Sequence, residues 1–329
     1  MTKGAGTSAI NIPTFRRRLL GWFHKHQRKL PWRGEHDPYR ILVSEIMLQQ
    51  TRVAVVEERY RQFIAQFPTA EKLARARENT VLAAWSGLGY YRRARNLYRA
   101  AKEIAGNGGF PRTSAALREL PGIGRYTANA VASIAFGEPV AVVDGNVKRV
   151  LARIFASHFG PEAKAGDERY WELAASLLER RNPGDFNQAM MELGALVCLP
   201  GQPLCSGCPV AAMCAARGPV ARKARQVRRR AVLRYALARR DSSVLLQKRP
   251  QQSSLMPGMW ELPQIETGSD DKPPVLKLRH SITTTDYTVF VHAREGHYTN
   301  GGEWHPLRSA KRLPLTGLTR KILERLGET

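Results

Sequence analysis

The chain has 329 residues, 43% of them hydrophobic, which is too long for one small core and suits two packed domains. Its 52 Lys and Arg against 28 Asp and Glu leave a formal net charge of +24. A solvated surface does not need that imbalance, so a polyanionic partner is expected, nucleic acid first; an acidic membrane comes second, and no apolar run is long enough to anchor one.

The N-terminal stretch carries no apolar signal core and no acidic residue before Glu35. Its "FRRRLL" shares a transit peptide's composition, but a basic first helix from Pro13 is the simpler reading. Without a secretion signal a reducing compartment is expected. From residue 13 to about 215 the pattern is helix after helix. "YRILVSEIMLQQTRVAVVEERYRQFIAQF" places apolar residues at helical spacing. "NTVLAAWSGLGYYRRARNLYRAAKEIAG" gives two helices broken at "SGLGYY" and stopped at Gly106. "RYTANAVASIAFG" is a short Ala-rich helix, "DGNVKRVLARIFA" starts at an Asp suited to an N-cap, and "FNQAMMELGALVC" leads into a cysteine loop. After Cys214 the composition changes. "RKARQVRRR" carries six basic residues in nine and reads as an exposed linker. Strand patterns follow at "AVLRYALARR", "SVLLQKR" and "DYTVFVHAR", then a last helix at "LTGLTRKILERLG". The expectation is an all-helical region of about 200 residues followed by a smaller α+β domain.

Four features carry chemistry. "LPGIGRYTANAVAS" puts Gly122 and Gly124 immediately before a helix, where free N–H groups and the helix dipole attract phosphate. An ordinary tight turn between helices is the alternative; with the charge of the chain, a phosphate-binding helix–hairpin–helix is favoured. Glu45 in "VSEIMLQQTR" shares a helical face with Ile41, Leu42, Leu48 and Gln49, so partial desolvation should raise its pKa and suit it to act as an acid. Pairing with Arg52 is its structural alternative. Asp144 follows an apolar, strand-like run and begins a helix; it is either an N-cap or, if it meets Glu45, the second carboxylate of a pair acting on a sugar. The four cysteines Cys198, Cys205, Cys208 and Cys214 fall in one 17-residue stretch as C-x6-C-x2-C-x5-C. Disulfides are disfavoured there, and the residues alone leave zinc and a [4Fe–4S] cluster equally open.

Together, "LPWR", "VSEIMLQQTRV", "WSGLGYYRRARNL", "LPGIGRYTANAVAS", "DGNVKRVLAR", "FNQAMMELGALVC" and the cysteine loop make residues 15 to 214 resemble the MutY-type adenine DNA glycosylases of the helix–hairpin–helix superfamily. The resemblance implies a mainly α glycosylase region, with a six-helix barrel bearing the hairpin at 29–137. A helical iron–sulfur domain would be built from 1–28 and 138–215, with a basic linker at 216–229 and an α+β Nudix-like lesion-recognition domain at 230–329. It implies that the cysteines hold a [4Fe–4S] cluster. The implied chemistry is removal of adenine mispaired with 8-oxoguanine or guanine in double-stranded DNA, the base being flipped into a pocket. Glu45 would supply the proton. Asp144 would stabilise the cationic sugar, directly or through a transient covalent bond, with Tyr126 and Asn146 lining the centre. Trp32, Arg33, Leu48 and Glu192 would line the adenine pocket, and Gln50, Thr51, Leu88 and Tyr90 would surround 8-oxoguanine, Tyr90 as a wedge. Taken singly, Gln50 and Thr51 read as a polar helix face and Trp32 and Tyr90 as aromatic core. A monomer acting in a bacterial cytoplasm, at the nucleoid and without membrane contact, is expected.

The C-terminal likeness rests on "LLQKRP" and "MPGMWELPQ". The acidic R-E-x-x-E-E helix of Nudix enzymes is missing, so no pyrophosphatase activity is expected. "RHSITTTDY" stands where the family has a Phe-Ser-His turn; Thr283 or Thr284 would have to supply the hydroxyl. Two rival readings differ in testable ways. An endonuclease III-like lyase needs a Lys nucleophile where this chain has Tyr126. A non-catalytic iron–sulfur DNA-binding protein would not need both Glu45 and Asp144.

Overall fold

The computed structural model describes residues 10–156, 167–219, 228–265, 273–294, 301–310 and 312–328. Most of the basic linker expected at 216–229 lies outside the described residues. Among those described, the helices are α1 (Ile12–His26), α2 (Pro38–Leu48), α3 (Val53–Gln66), α4 (Ala70–Ala74), α5 (Glu78–Ala84), α6 (Arg92–Gly106), α7 (Ser114–Arg118), α8 (Arg125–Phe136), α9 (Gly145–Ile154), α10 (Asp167–Leu177) and α11 (Pro183–Leu196). Two short 3-10 turns in the cysteine loop follow. Then come strands β1 (Arg229–Arg240), β2 (Ser243–Lys248), β3 (Trp260–Glu261), β4 (Leu276–Ile282), β5 (Thr285–Arg294) and β6 (Glu303–Pro306), and helices α12 (Leu307–Ala310) and α13 (Gly317–Arg325). None of the described helices is long and apolar enough to cross a membrane.

The chain divides into two compact units. The first takes in the described residues of Met1–Gln50, Phe67–Glu71 and Arg99–Lys223, and the second those of Thr51–Gln66, Lys72–Tyr98 and Ala224–Thr329.

In the first unit, helix starts follow the local chemistry. Asn11, Asp37 and Asn182 cap α1, α2 and α11 with their side chains, each with Pro in the first turn, where its missing N–H costs nothing. The core packs Phe15, Leu19 and Phe23 of α1 against Val147, Val150 and Leu151 of α9 and Phe186, Met190 and Leu193 of α11. Helix α8 is the hub, packed on α2, α7 and α11. Its Ala and Ser residues permit close approach. A Cβ on Gly184 would stand 2.9 Å from both the Ile134 Cα and the Ser133 carbonyl oxygen. The strand-like run before Asp144 forms no strand. Side chains meet its backbone instead: Asn187 Oδ1 accepts from the Val142 N–H, while Asn129 and Asn187 donate to the carbonyls of Ala141 and Val140.

In the second unit a mixed six-stranded sheet runs β3-β2-β1-β5-β4, with β6 on β2. β1 and β5 are parallel and the other pairs antiparallel. One face packs Tyr235, Leu278, Val289 and Val291 against Leu318, Ile322 and Leu323 of α13. A two-residue turn at Thr283–Thr284 joins β4 to β5. Thr283 has φ 49°, and its hydroxyl donates to the neighbouring Ile282 carbonyl at 2.8 Å.

Candidate active site

In the first unit, α2 brings Glu45 to the start of α8, where the Tyr126 hydroxyl donates to Glu45 Oε2 at 2.6 Å. Glu45 is only 5% exposed. Part of the Tyr126 side chain reaches the surface, but its hydroxyl end sits at the buried carboxyl and also approaches Met191 Sδ at 3.5 Å. Burial pushes the Glu45 carboxyl above the usual range. The Tyr126 hydrogen bond offsets part of this, the nearby Asp144 charge adds to it, and Arg33 lowers it. Burial likewise lifts the Tyr126 hydroxyl well above its ordinary value, with the charges of Glu45 and Asp144 adding to the effect, so Tyr126 is a neutral donor.

Asp144 is the N-cap of α9. Its Oδ1 accepts from the Val147 N–H at 2.7 Å and its Oδ2 from Asn146 Nδ2 at 3.0 Å. Burial raises its pKa, but these donors and the Arg149 charge work against the rise. The two carboxyls thus differ. Glu45 holds a hydroxyl partner in an apolar wall, whereas Asp144 is met by N–H donors at a helix N-terminus, the setting that favours a negative charge. Asn146 Oδ1 accepts in turn from Arg149 Nη2 at 2.8 Å. That same guanidinium donates to the carbonyls of Gly194 and Cys198. Helices α9 and α11 meet at Gly194, where a Cβ would fall 2.6 Å from Asn146 Cβ.

A second group surrounds Glu192, which is 2% exposed. Arg28 donates to it from the backbone N–H, from Nε at 2.9 Å and from Nη2 at 2.8 Å, and Arg33 Nη2 donates at 3.1 Å. Burial alone would raise the Glu192 carboxyl, but Arg28 and Arg33 more than offset it and hold it below the usual range. Arg33 also bonds Gln188 Oε1 and lies over the Phe23 ring. Trp32 is buried, and Leu48 is half-buried at the end of α2.

Gly122 has φ 74°, a conformation that favours glycine. Gly124 caps α8 without a side-chain bond, and nothing lies within 4 Å of where its Cβ would be. The first N–H groups of α8 are therefore open to a ligand oxygen. Gln50 is exposed and has φ 57°. In the second unit Thr51, Leu88 and Tyr90 are gathered by one side chain. Arg93 Nη2 donates to the Leu88 carbonyl at 2.8 Å, to the Gly89 carbonyl at 3.2 Å and to Thr51 Oγ1 at 3.0 Å, with its guanidinium over the Trp85 and Tyr90 rings. Tyr90 is 48% exposed with φ 49°, so it is a surface ring on a left-handed turn and not core.

Cys198, Cys205, Cys208 and Cys214 are unbridged and line one cavity together with Arg153 and Val150. Arg153 Nη1 donates to Cys198 Sγ at 3.1 Å and the Gly218 N–H to Cys205 Sγ at 3.4 Å, contacts that suit charged sulfur. Among the described residues no three His, Cys, Asp or Glu side chains converge on a point for a single ion. The four cysteines line a shared cavity instead.

Arg28, Gln188, Met191 and Arg149 belong to these groups and do not stand out in the sequence. Arg149 and Arg153 carry a weak signal: they fall one turn apart in the helix that Asp144 opens.

Residues 43–176 match the family described as HhH-GPD superfamily base excision DNA repair protein. The adenine DNA glycosylase of Schizosaccharomyces pombe is 34% identical over 332 residues, covering 80% of this chain and 72% of the relative. The human protein of the same name is 46% identical over 217 residues, or 63% of this chain; the match spans only 40% of the human protein. Among solved structures, a thermostable thymine-DNA glycosylase superposes with a TM-score of 0.57 at 31% identity, covering 62% of this chain and 94% of that one. An endonuclease III complexed with DNA, at 22% identity and a TM-score of 0.53, covering 63% of this chain and 96% of that one, shares the fold.

Proposed function

Because the chain belongs to the adenine DNA glycosylase family, we propose that it hydrolyses the N-glycosidic bond of adenine mispaired with 8-oxoguanine or guanine in double-stranded DNA. The observation that carries this reading is the pair of unlike carboxyls, Glu45 under the Tyr126 hydroxyl and Asp144 under N–H donors.

Adenine leaves a sugar poorly as an anion. Glu45, whose affinity for a proton burial raises, gives its proton to a ring nitrogen of the flipped base, and the C–N bond electrons go to a neutral leaving group. The cationic sugar that results is stabilised by ionised Asp144. Glu45, now a carboxylate, takes a proton from the water whose oxygen joins the sugar, and so is restored. Tyr126 orients Glu45, and Asn146 orients Asp144. Trp32, Arg33, Leu48 and Glu192 form the adenine pocket. Gln50, Thr51, Leu88 and Tyr90 face the 8-oxoguanine left in the duplex, with the exposed Tyr90 ring as the wedge. Gly122 and Gly124 admit a backbone phosphate. Tyr126 occupies the place of a lyase's lysine, so the strand is left uncut.

The four cysteines suit a [4Fe–4S] cluster better than one zinc ion, since all four line one cavity and two of their sulfurs, of Cys198 and Cys205, receive N–H donors. When bound, the cluster holds the loop in shape. Its ligand Cys198 is tied to α9 through Arg149 and Arg153. We assign the sheet of the second unit to a Nudix-like lesion-recognition module without pyrophosphatase activity. The protein is read as a monomer acting on chromosomal DNA in a bacterial cytoplasm.

The test is single-turnover adenine release from duplexes with A opposite 8-oxoguanine, G or C, beside an oxidised-pyrimidine duplex treated with borohydride. Fast release opposite 8-oxoguanine and G, lost in Glu45→Gln, is expected. A trapped adduct on the oxidised pyrimidine would replace this reading with a lyase. Equal, negligible release by wild type and Glu45→Gln would leave a binding protein.

A further inference from the structure

The corner that joins α5 to α6 carries more than the exposed Tyr90 ring. Gly87, Gly89 and Tyr90 all have positive φ, at 94°, 68° and 49°. Glycine adopts that region freely, but a tyrosine there is strained and stays only where its surroundings fix it. Two side chains of the helical segment do part of this. Arg93 bonds the Leu88 and Gly89 carbonyls, and Trp85 Nε1 donates to the Gly89 carbonyl at 3.1 Å.

A second set of contacts ties the corner to the sheet. Tyr91, the residue after Tyr90, is 3% exposed, and its hydroxyl donates to the Leu315 carbonyl at 3.1 Å, 224 residues away in sequence. One turn on, Arg95 Nη2 donates to the Pro257 carbonyl at 2.7 Å while its Nε donates to Glu78 Oε1 at 3.0 Å. Both carbonyl acceptors flank β3. Pro257 lies in the loop that leads into it. Leu315 runs beside it, since the Trp260 N–H donates to the Pro314 carbonyl and the Thr316 N–H to the Trp260 carbonyl, each at 2.9 Å. The start of α6 thus grips β3 at both flanks, and all of these residues belong to the second unit. Neither bond is part of the α6 ladder or of the strand pairing; both run between them.

We propose that Tyr91 and Arg95 are positioning residues for lesion discrimination: they fasten the Tyr90 turn to the C-terminal sheet, so that the two meet the base opposite adenine at a fixed spacing. This rests on the reading above, which gives both the turn and the sheet to the lesion. Parts already held at the right spacing need not be ordered when the duplex binds. 8-Oxoguanine differs from guanine by a C8 carbonyl and an N7–H, so contacts to those two groups carry the discrimination. When the fastening is loosened those contacts weaken first. The preference then falls while the chemistry at adenine continues.

The experiment compares full-length wild type with Tyr91→Phe, which loses only the hydroxyl, and with Arg95→Lys, which keeps the charge and loses the fork that joins Pro257 to Glu78. Single-turnover adenine release is measured at subsaturating and saturating enzyme, with A opposite 8-oxoguanine and with A opposite G. At subsaturating enzyme the ratio of the two rates should fall in each variant by about threefold or more, the scale of one lost hydrogen bond. Release opposite G at saturating enzyme should match wild type, as should affinity for an undamaged duplex. Hydrogen exchange of the free proteins supplies a readout without DNA: amides at 86–93 and at 312–318 should both exchange faster in each variant. Faster exchange with an unmoved ratio would overturn the proposal, because the fastening would then exist without setting the preference. Equal falls in release opposite 8-oxoguanine and opposite G would overturn it too, by making both residues merely structural. Unchanged exchange in both segments would remove the fastening itself. Failure of wild type to release adenine from either duplex would sink the enzymatic reading and the discrimination with it, whereas normal wild-type release with an unmoved ratio sinks this proposal alone.

Discussion

Replacing Tyr126 with Phe removes one oxygen from the centre and leaves the ring. The lost group donates to Glu45 Oε2 at 2.6 Å, and Glu45 is 5% exposed, so water can replace it only poorly. A hydrogen bond to a charged group contributes about 1.5–3 kcal/mol, and one between neutral groups about 0.5–1.5. The ionised carboxylate therefore loses about 1–1.5 kcal/mol more than the neutral acid when the donor is removed. The sign follows from which form of Glu45 needs the donor. In the native protein burial already raises this carboxyl above its unfolded value, so its contribution to stability is full at low pH and is lost as pH rises through the folded pKa. Without Tyr126 the ionised form is worse off still and the folded pKa rises further. Urea unfolding should therefore show a larger cost for Tyr126→Phe at pH 8 than at pH 5. The alkaline limb of the single-turnover rate should move to higher pH, whatever happens to the maximal rate. An equal cost at both pH values, or an alkaline limb that moves down, would refute the view that this hydroxyl stabilises ionised Glu45.

Arg28→Gln should destabilise the protein by about 1–3 kcal/mol at pH 7, since buried Glu192 loses a forked partner and keeps Arg33. Glu192 is held below its usual range, so this cost should shrink as unfolding is measured toward acid pH, where the carboxylate takes up a proton. Gly194→Ala forces a Cβ to 2.6 Å from Asn146 Cβ and should cost about 1–3 kcal/mol in urea unfolding, with slower adenine release at saturating enzyme. Cys205→Ser should lose the visible absorption of an iron–sulfur cluster and bind DNA more weakly; unchanged absorption would remove Cys205 from the ligand set.

Much of the helical unit is legible in the sequence because its boundaries carry local chemistry. Pro38 after Asp37, Gly137 after the Ala-rich helix, and Asp144 before "GNV" each mark an end, and each is an end in the structure. Glu45 and Asp144 can be nominated one at a time, but not their approach. Tyr126 and Glu45 are 81 residues apart, and what joins them is the packing of α2 on α8, which no periodicity encodes. Arg28 and Arg149 are hidden by the basic composition. Among 52 basic residues, one that folds onto a buried carboxylate looks like one that faces water, and only its partner's burial tells them apart. Gly194 has a signal, being an isolated glycine inside a strong helical pattern, which marks close approach. β4 has one too: "LKLRHSI" alternates apolar and polar residues. The parallel pairing of β1 with β5 has none, because strand order is set by the chain's path and not by any strand's own pattern.

Asp144 shows why the structural and chemical readings of one residue need not compete. As an N-cap it spends Oδ1 on the Val147 N–H, and a cap of this kind contributes about 1 kcal/mol to its helix. The same bond removes the side chain's freedom to rotate, so the second oxygen has a defined place, which Asn146 reinforces with a hydrogen bond of its own. A carboxylate meant to oppose a transient positive charge gains from being fixed beforehand, because nothing must then reorganise as the charge forms. The helix dipole favours the ionised form at this position. Glu45 lies within a helix, without that dipole and with a hydroxyl as its donor, and so keeps its proton more readily. The difference between an acid and a charge stabiliser thus follows from where each carboxyl sits on its helix. It also predicts that keeping the cap but removing the charge, as in Asp144→Asn, would keep the helix and lose the chemistry: urea unfolding should change little, while adenine release at saturating enzyme should fall by orders of magnitude. A variant that loses stability and activity in proportion would show that the cap alone was the role of Asp144.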